Sequence, residues 1–210
     1  MELVERDGVK GTLERGGAAA GRAIVLTHGA GGNSNTPGLK AVSARLCAHG
    51  WTVLRCDLPF RQKHPGSPRP AEAAGDREGL RQALRVLREE TGAATRLFLS
   101  GHSYGGRQAT MLAAEDTGLD IVGMLLMSYP LHPPGKPQQL RTAHLPSLRK
   151  PAFFAHGSRD AFGARGEMEG ALKLIPASNQ LFIVEGAGHD LGGGKKLGFV
   201  DAFLGFAGGL

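Results

Sequence analysis

The chain has 210 residues, a formal net charge of +6 and 41% hydrophobic residues, which suits one soluble globular domain with a sizeable core. Its longest apolar run, Ile121 to Met127, is too short to span a bilayer, and Glu2, Glu5 and Asp7 stand where a secretory leader needs basic and then apolar residues, so a cytoplasmic protein without membrane contact is expected. The two cysteines, Cys47 and Cys56, make neither a disulfide framework nor a zinc pattern, and the scattered Lys and Arg residues, with only 6% aromatics, exclude a nucleic-acid patch.

Residues Glu2 to Arg15 alternate loosely around Gly8 and Gly11 and predict a hairpin or edge strands. Ala23 to Thr27 reads as a strand buried on both faces, followed by the loop His28 to Asn33. Leu39, Val42 and Leu46 share one face of a helix from Leu39 to His49, with Gly50 at its C-cap. Trp51 to Cys56 is the next strand, and Pro59 to Pro70 a proline-rich basic loop. Leu80, Ala83, Leu84 and Leu87 define a helix within Ala71 to Glu90, after which Arg96 to Ser100 forms a strand. Ile121 to Met127 is a further strand, and the prolines between Tyr129 and Pro151 forbid a long helix. Ala152 to Ala155 and Gln180 to Val184 read as strands, Glu167 to Leu174 and Lys195 to Phe206 as helices. Such alternation predicts a single α/β domain over residues 1–210, a mostly parallel sheet with helices on both faces. Its chemistry belongs at the carboxyl ends of the strands.

One stretch at such an end carries a nucleophile's signature. Gly101-His102-Ser103-Tyr104-Gly105 lies between an apolar strand and a helix-compatible run through Glu115. A serine at a strained strand-to-helix turn needs glycine two residues to either side, because the backbones approach too closely for a Cβ. A serine hydroxyl also needs an imidazole to take its proton and a carboxylate to orient that imidazole. Asp160 follows the Ala152–Ala155 strand and His189 the last strand, in the order Ser103, Asp160, His189. Asp190 is a rival acid, disfavoured because it adjoins the histidine. Two amides complete the expected site, that of Tyr104 and one from His28-Gly29-Ala30-Gly31, Ala30 being preferred to Gly31. His28 itself reads as a brace for that loop.

With these residues the chain resembles an α/β-hydrolase from about Ala23 to about Phe206. More narrowly, Arg55 to Arg61, Gly101 to Arg107, Ser128 to Gly135 and Leu140-Arg141-Thr142 resemble a small dienelactone-hydrolase-like branch. That branch includes testis-expressed hydrolase-like proteins and the hydrolase-like domain of a chromatin acetyltransferase complex subunit. The resemblance implies a serine hydrolase acting on small esters, thioesters or lactones, with no cofactor or metal. The segment after the sixth strand is too short for the helical cap of larger relatives, so an open cleft is expected, lined by the Pro59 to Pro70 loop, Tyr104, Tyr129 and His132. Arg61 and Arg141, in loops leaving strand ends, are expected to bind a carboxylate or phosphate on the substrate. The competing reading is a protein-binding module that has kept the hydrolase shape. Dinucleotide binding fits poorly, since Ser34 takes the place of a third glycine, and a phosphate loop at Gly192 to Lys196 fails because Lys196 stands where Ser or Thr must hold magnesium.

Overall fold

The computed structural model describes residues 1–17 and 21–210. All the strands join one eight-stranded sheet: β1 (Glu2–Arg6), β2 (Val9–Arg15), β3 (Arg22–Thr27), β4 (Thr52–Asp57), β5 (Arg96–His102), β6 (Gly123–Met127), β7 (Ala152–Gly157) and β8 (Asn179–Val184), in the order β1-β2-β4-β3-β5-β6-β7-β8. The first two strands form the expected hairpin and add antiparallel to β4; all other pairings are parallel.

Side chains that alternate along a strand go to opposite faces, and both faces are covered here. Ala23, Val25, Leu97, Leu99, Leu126 and Phe154 enter one core, against α3 (Ala73–Thr91) and α4 (Tyr104–Glu115). Ile24, Phe98, Leu125 and Phe153 enter the other, against α1 (Pro37–Ala48) and α6 (Gly198–Gly208). Trp51, Phe98 and Phe203 form the aromatic centre of that second core, with ring centroids 4.8 to 5.8 Å apart. Among the described residues no helix is long and apolar enough to cross a membrane.

Several boundaries differ from the sequence reading. Helix α1 starts at Pro37, where a missing N–H costs nothing. The loop expected from Pro59 to Pro70 opens with the five-residue helix α2 (Pro59–Lys63), also begun by a proline, and Pro70–Glu72 makes a 3₁₀ turn ahead of α3. Strand β6 begins at Gly123, although the Val122 amide still bonds Leu97 O at 2.8 Å. The closing helix begins three residues later than expected, because the Lys195 amide closes a turn on Gly192 O at 3.1 Å and the helical turn starts only at Leu197, whose carbonyl accepts from the Val200 amide at 2.8 Å. Between β6 and β7 the only helical element among the described residues is the 3₁₀ turn Leu145–Ser147, as the prolines required. Helix α5 (Arg165–Leu172) links β7 to β8.

Candidate active site

Ser103 sits at the junction of β5 and α4 with φ at 51°, a conformation a residue with a side chain adopts only when its surroundings enforce it. Its amide donates to Met127 O at 2.8 Å, and its carbonyl accepts from the Arg107 amide at 2.9 Å. The flanking glycines make the turn possible. A Cβ on Gly101 would overlap the backbone of Gly105 and Gly106, and one on Gly105 would overlap the carbonyl of His28.

From Ser103 Oγ a hydrogen-bonded path runs through His189 to Asp160. His189 Nε2 lies 2.7 Å from Ser103 Oγ, and His189 Nδ1 lies 2.8 and 3.0 Å from the two carboxylate oxygens of Asp160. Burial works against a charge on Asp160, yet its bonds to His189 and to the Phe162 amide, together with the nearby imidazoles of His189 and His156, hold its carboxyl below the usual carboxylate range. The ring of Phe162 stacks on His189 with centroids 4.2 Å apart. Asp190, the rival acid, instead accepts from the Gly192 amide at 3.0 Å.

Two more histidines brace this path. His102 Nε2 donates to the carbonyl of His189 at 2.7 Å, and burial pushes its pKa down. His156 lies under Asp160 and donates through Nε2 to Gly163 O at 2.7 Å. His102 was not singled out at the sequence level, and the only signal for it was its place immediately before the serine.

The loop after β3 is held as firmly. His28 Nδ1 donates to Gly29 O at 2.8 Å while its Nε2 accepts from the Leu58 amide at 3.0 Å, the bracing role expected of it. Gly29 lies so close to the turn that a Cβ there would come within 3.2 Å of Ser103 Cβ. Arg61 Nη2 donates to Ala30 O at 2.6 Å and Nη1 to Pro65 O. A cavity of about 610 Å³ opens from Ser103 and His189 between this loop, the start of α1 and the segment after His189. Leu39, Val42, Met127, Leu191, Leu197 and Phe199 give it an apolar lining.

A family model described as an alpha/beta hydrolase domain matches residues 20–202, most of the chain. The chain belongs to the alpha/beta hydrolase family. Solved structures share the fold over nearly their whole length. Est1E from Butyrivibrio proteoclasticus with ferulic acid bound has a TM-score of 0.77 at 16% identity, covering 98% of both chains. Dienelactone hydrolase from Anabaena variabilis has a TM-score of 0.69 at 23% identity, covering 95% of this chain and 88% of its own. XC6422 from Xanthomonas campestris, described as a serine hydrolase without a lid, has a TM-score of 0.73 at 15% identity over 93% of this chain and 89% of its own.

In this alpha/beta hydrolase the four residues expected to touch substrate do not line the cavity. Arg61 spends its guanidinium on Ala30 and Pro65 and lies over the Phe60 ring, 5.0 Å from its centroid. Tyr129 is 2% exposed and its hydroxyl donates to Arg141 O at 2.6 Å, which turns the ring into the core. His132 is buried too, its ring nitrogens 2.8 Å from Pro133 O and 3.2 Å from Glu167 Oε2. Arg141 reaches Pro130 O at 3.3 Å. Tyr104 also stays out, because its hydroxyl donates to Asp76 at 2.7 Å; burial and that partner push the phenol's pKa well up. The cleft therefore opens on the α1 side of the sheet, away from the loops that were expected to line it. No group of three or more His, Cys, Asp or Glu residues that could hold a metal ion occurs among the described residues.

Proposed function

We propose that the protein is a serine hydrolase of small carboxylic esters, thioesters or lactones, with Ser103 as nucleophile, His189 as base and then acid, and Asp160 as the group that orients it. The observation that carries this reading is the unbroken path of short hydrogen bonds from Ser103 Oγ through both nitrogens of His189 to Asp160. Asp160 is an acceptor, so His189 Nδ1 carries the proton and Nε2 is free to take one from Ser103. As Oγ attacks the carbonyl carbon, its proton passes to Nε2 and the carbonyl π electrons move onto oxygen. Collapse expels the alcohol or thiol, which leaves with the proton from Nε2. Water then repeats the sequence on the acyl-serine and releases the acid.

The oxyanion needs two donors, for which we assign the amides of Tyr104 and Ala30. Tyr104 opens α4, so its N–H has no acceptor within the helix. The Ala30 N–H shares a planar trans peptide with Gly29 C=O, which is turned into the loop by His28 and by the Gly32 amide; the N–H therefore points the opposite way. Gly29 lies directly against Ser103, which favours Ala30 over Gly31. The stretches Arg55 to Arg61 and Ser128 to Gly135 support membership of the dienelactone-hydrolase-like branch within the family.

A fluorophosphonate probe tests the reading. The folded protein is expected to become covalently labelled, and Ser103→Ala to lose the label while keeping its thermal unfolding midpoint. Folded wild-type protein that takes up no label would overturn it.

A further inference from the structure

The cavity beside Ser103 is larger and less polar than acyl transfer alone requires. Ser103 is only 9% exposed, and the space of about 610 Å³ that opens from it can enclose a whole organic group rather than an ester bond. Its wall has three parts. Leu39 and Val42 stand one turn apart on α1, and Phe199 faces them from the start of α6. Met127 at the end of β6 and the Phe162 ring, stacked on His189, lie next to the reacting groups. The segment after His189 supplies the rest. Leu191 is buried in that wall although its φ is 52°, a backbone state that a residue with a side chain keeps only where its contacts enforce it. Gly194 lies so close to α1 that a Cβ on it would come within 2.8 Å of Ala41 Cβ, and Gly193 and Gly194 line the space with backbone alone, which leaves it open.

Charge is distributed as unevenly as bulk. Beyond Ser103, His102 and His189 the polar side chains on the lining are those of Thr36 and Asp190, and no Lys or Arg is among them. Asp190 accepts from the Gly192 amide at 3.0 Å, so the one formal charge that faces the space is negative. Water against such apolar walls has few partners, and an alkyl group that displaces it gains the free energy of leaving water. A carboxylate entering the same space would give up its hydration with no cation to meet it and a like charge opposing it.

We infer that the cavity between α1, α6 and the His189–Leu197 segment binds an uncharged alkyl chain, borne by the ester that Ser103 cleaves. The assignment of the chain to a substrate rests on the hydrolase reading above; the affinity of the cavity for a neutral alkyl group does not. The inference narrows the substrate from small esters at large to esters that carry such a chain. It also removes the anionic group expected from Arg61 and Arg141, neither of which reaches the cavity. Val42 and Gly38, both on the α1 side of the lining, set the length of chain that fits.

Calorimetric titration with butanamide, hexanamide and octanamide, neutral stand-ins for the ester, reads the site without turnover. Each added methylene is expected to tighten binding about fourfold in the wild type and in Ser103→Ala, until the chain fills the cavity. The gain should stop at a shorter chain in Val42→Phe, which narrows the space from α1, and in Gly38→Leu, where a Cβ meets only ordinary contacts at 3.9 Å and folding is threatened least. Binding that does not change with chain length in the wild type, or a gain that both variants leave untouched, overturns the site. Two series of esters, one lengthened on the acyl side and one on the alcohol side, then show which half of the substrate enters. One series should gain about fourfold in kcat/KM per methylene while the other stays flat, and a carboxylate at the far end of the favoured chain should cancel the gain. Equal gains in both series, no gain in either, or a terminal carboxylate accepted as readily as a methyl group overturns the substrate assignment. A chain-length gain with the amides but no ester turnover at all overturns the hydrolase reading and leaves the alkyl site standing.

Discussion

A single side chain decides much of what the proposed base can do. His102 stands between β5 and the segment bearing His189, and its Nε2–H fixes the carbonyl of the same residue whose ring must meet Ser103. Removing that donor lets the imidazole drift, and small misplacements of reacting groups are expensive. His102→Phe should therefore slow fluorophosphonate labelling about tenfold or more, whereas His102→Gln, which retains a donor, should recover most of the rate. Purely structural damage would not separate the two variants, so unfolding midpoints measured alongside complete the test. His144 makes a different prediction. Burial, and then Arg107 and Arg77, push its pKa down from 6.5 to about 4. Between those values the unfolded chain binds more protons than the folded one, so stability falls as pH drops through that window. The loss in denaturant midpoint from pH 7 to pH 5 should be smaller in His144→Gln, which keeps a donor for Thr110 but cannot titrate.

At the scale of elements, the loop after β3 depends on groups from other segments. Arg61 from α2 holds Ala30 O, His28 holds Gly29 O, and the Asp57 carboxylate accepts from the Ser34 amide at 2.6 Å. Arg61 is thus a positioning residue, holding the Ala30–Gly31 peptide that adjoins the one whose N–H we assign as the second oxyanion donor. Arg61→Ala is expected to lower kcat for a neutral ester about tenfold to a hundredfold, short of deleting an oxyanion donor outright, with a smaller change in KM. A large rise in KM with unchanged kcat would instead mark Arg61 as a binding group. None of this was legible beforehand, since what Arg61 touches is contributed by backbone some thirty residues away and leaves no periodic trace. Tyr129 and His132 turn inward for the same reason: a loop residue next to a strand end can face inward as easily as outward, and distant partners choose. The strands were legible because parallel strands covered on both faces read as unbroken apolar runs, as in Ala23-Ile24-Val25-Leu26. Ser103, Asp160 and His189 were expected together because each follows a strand, and the structure brings the three side chains within hydrogen-bond distance.

Across the whole molecule the sheet is stitched to its helices by apolar contact on both faces and by one buried charge network. Arg55, 1% exposed on β4, bonds Glu14 of β2 at 2.7 Å and Ser34 O at 2.5 Å, while Glu14 also accepts from Ser43 of α1. Burial alone would raise the Glu14 carboxyl, but Arg55 and Ser43 outweigh it and hold the group low, so it stays ionised. The network joins the antiparallel hairpin, the central sheet and the entry to α1. Glu14→Ala leaves a guanidinium buried without its partner and should cost about 3 kcal/mol or more in denaturant unfolding, far beyond the effect of an exposed pair such as Arg165 with Glu169.

The chain from His189 to Leu197 holds the imidazole at one end and walls the cavity with Leu191, Gly193 and Gly194 along its length. Under the proposed mechanism, recognition of shape and delivery of a proton are therefore mechanically one part. A guest too broad for the space must shift that wall, and in shifting it draws the ring away from the hydroxyl, so an oversized substrate is penalised in turnover before it is refused entry.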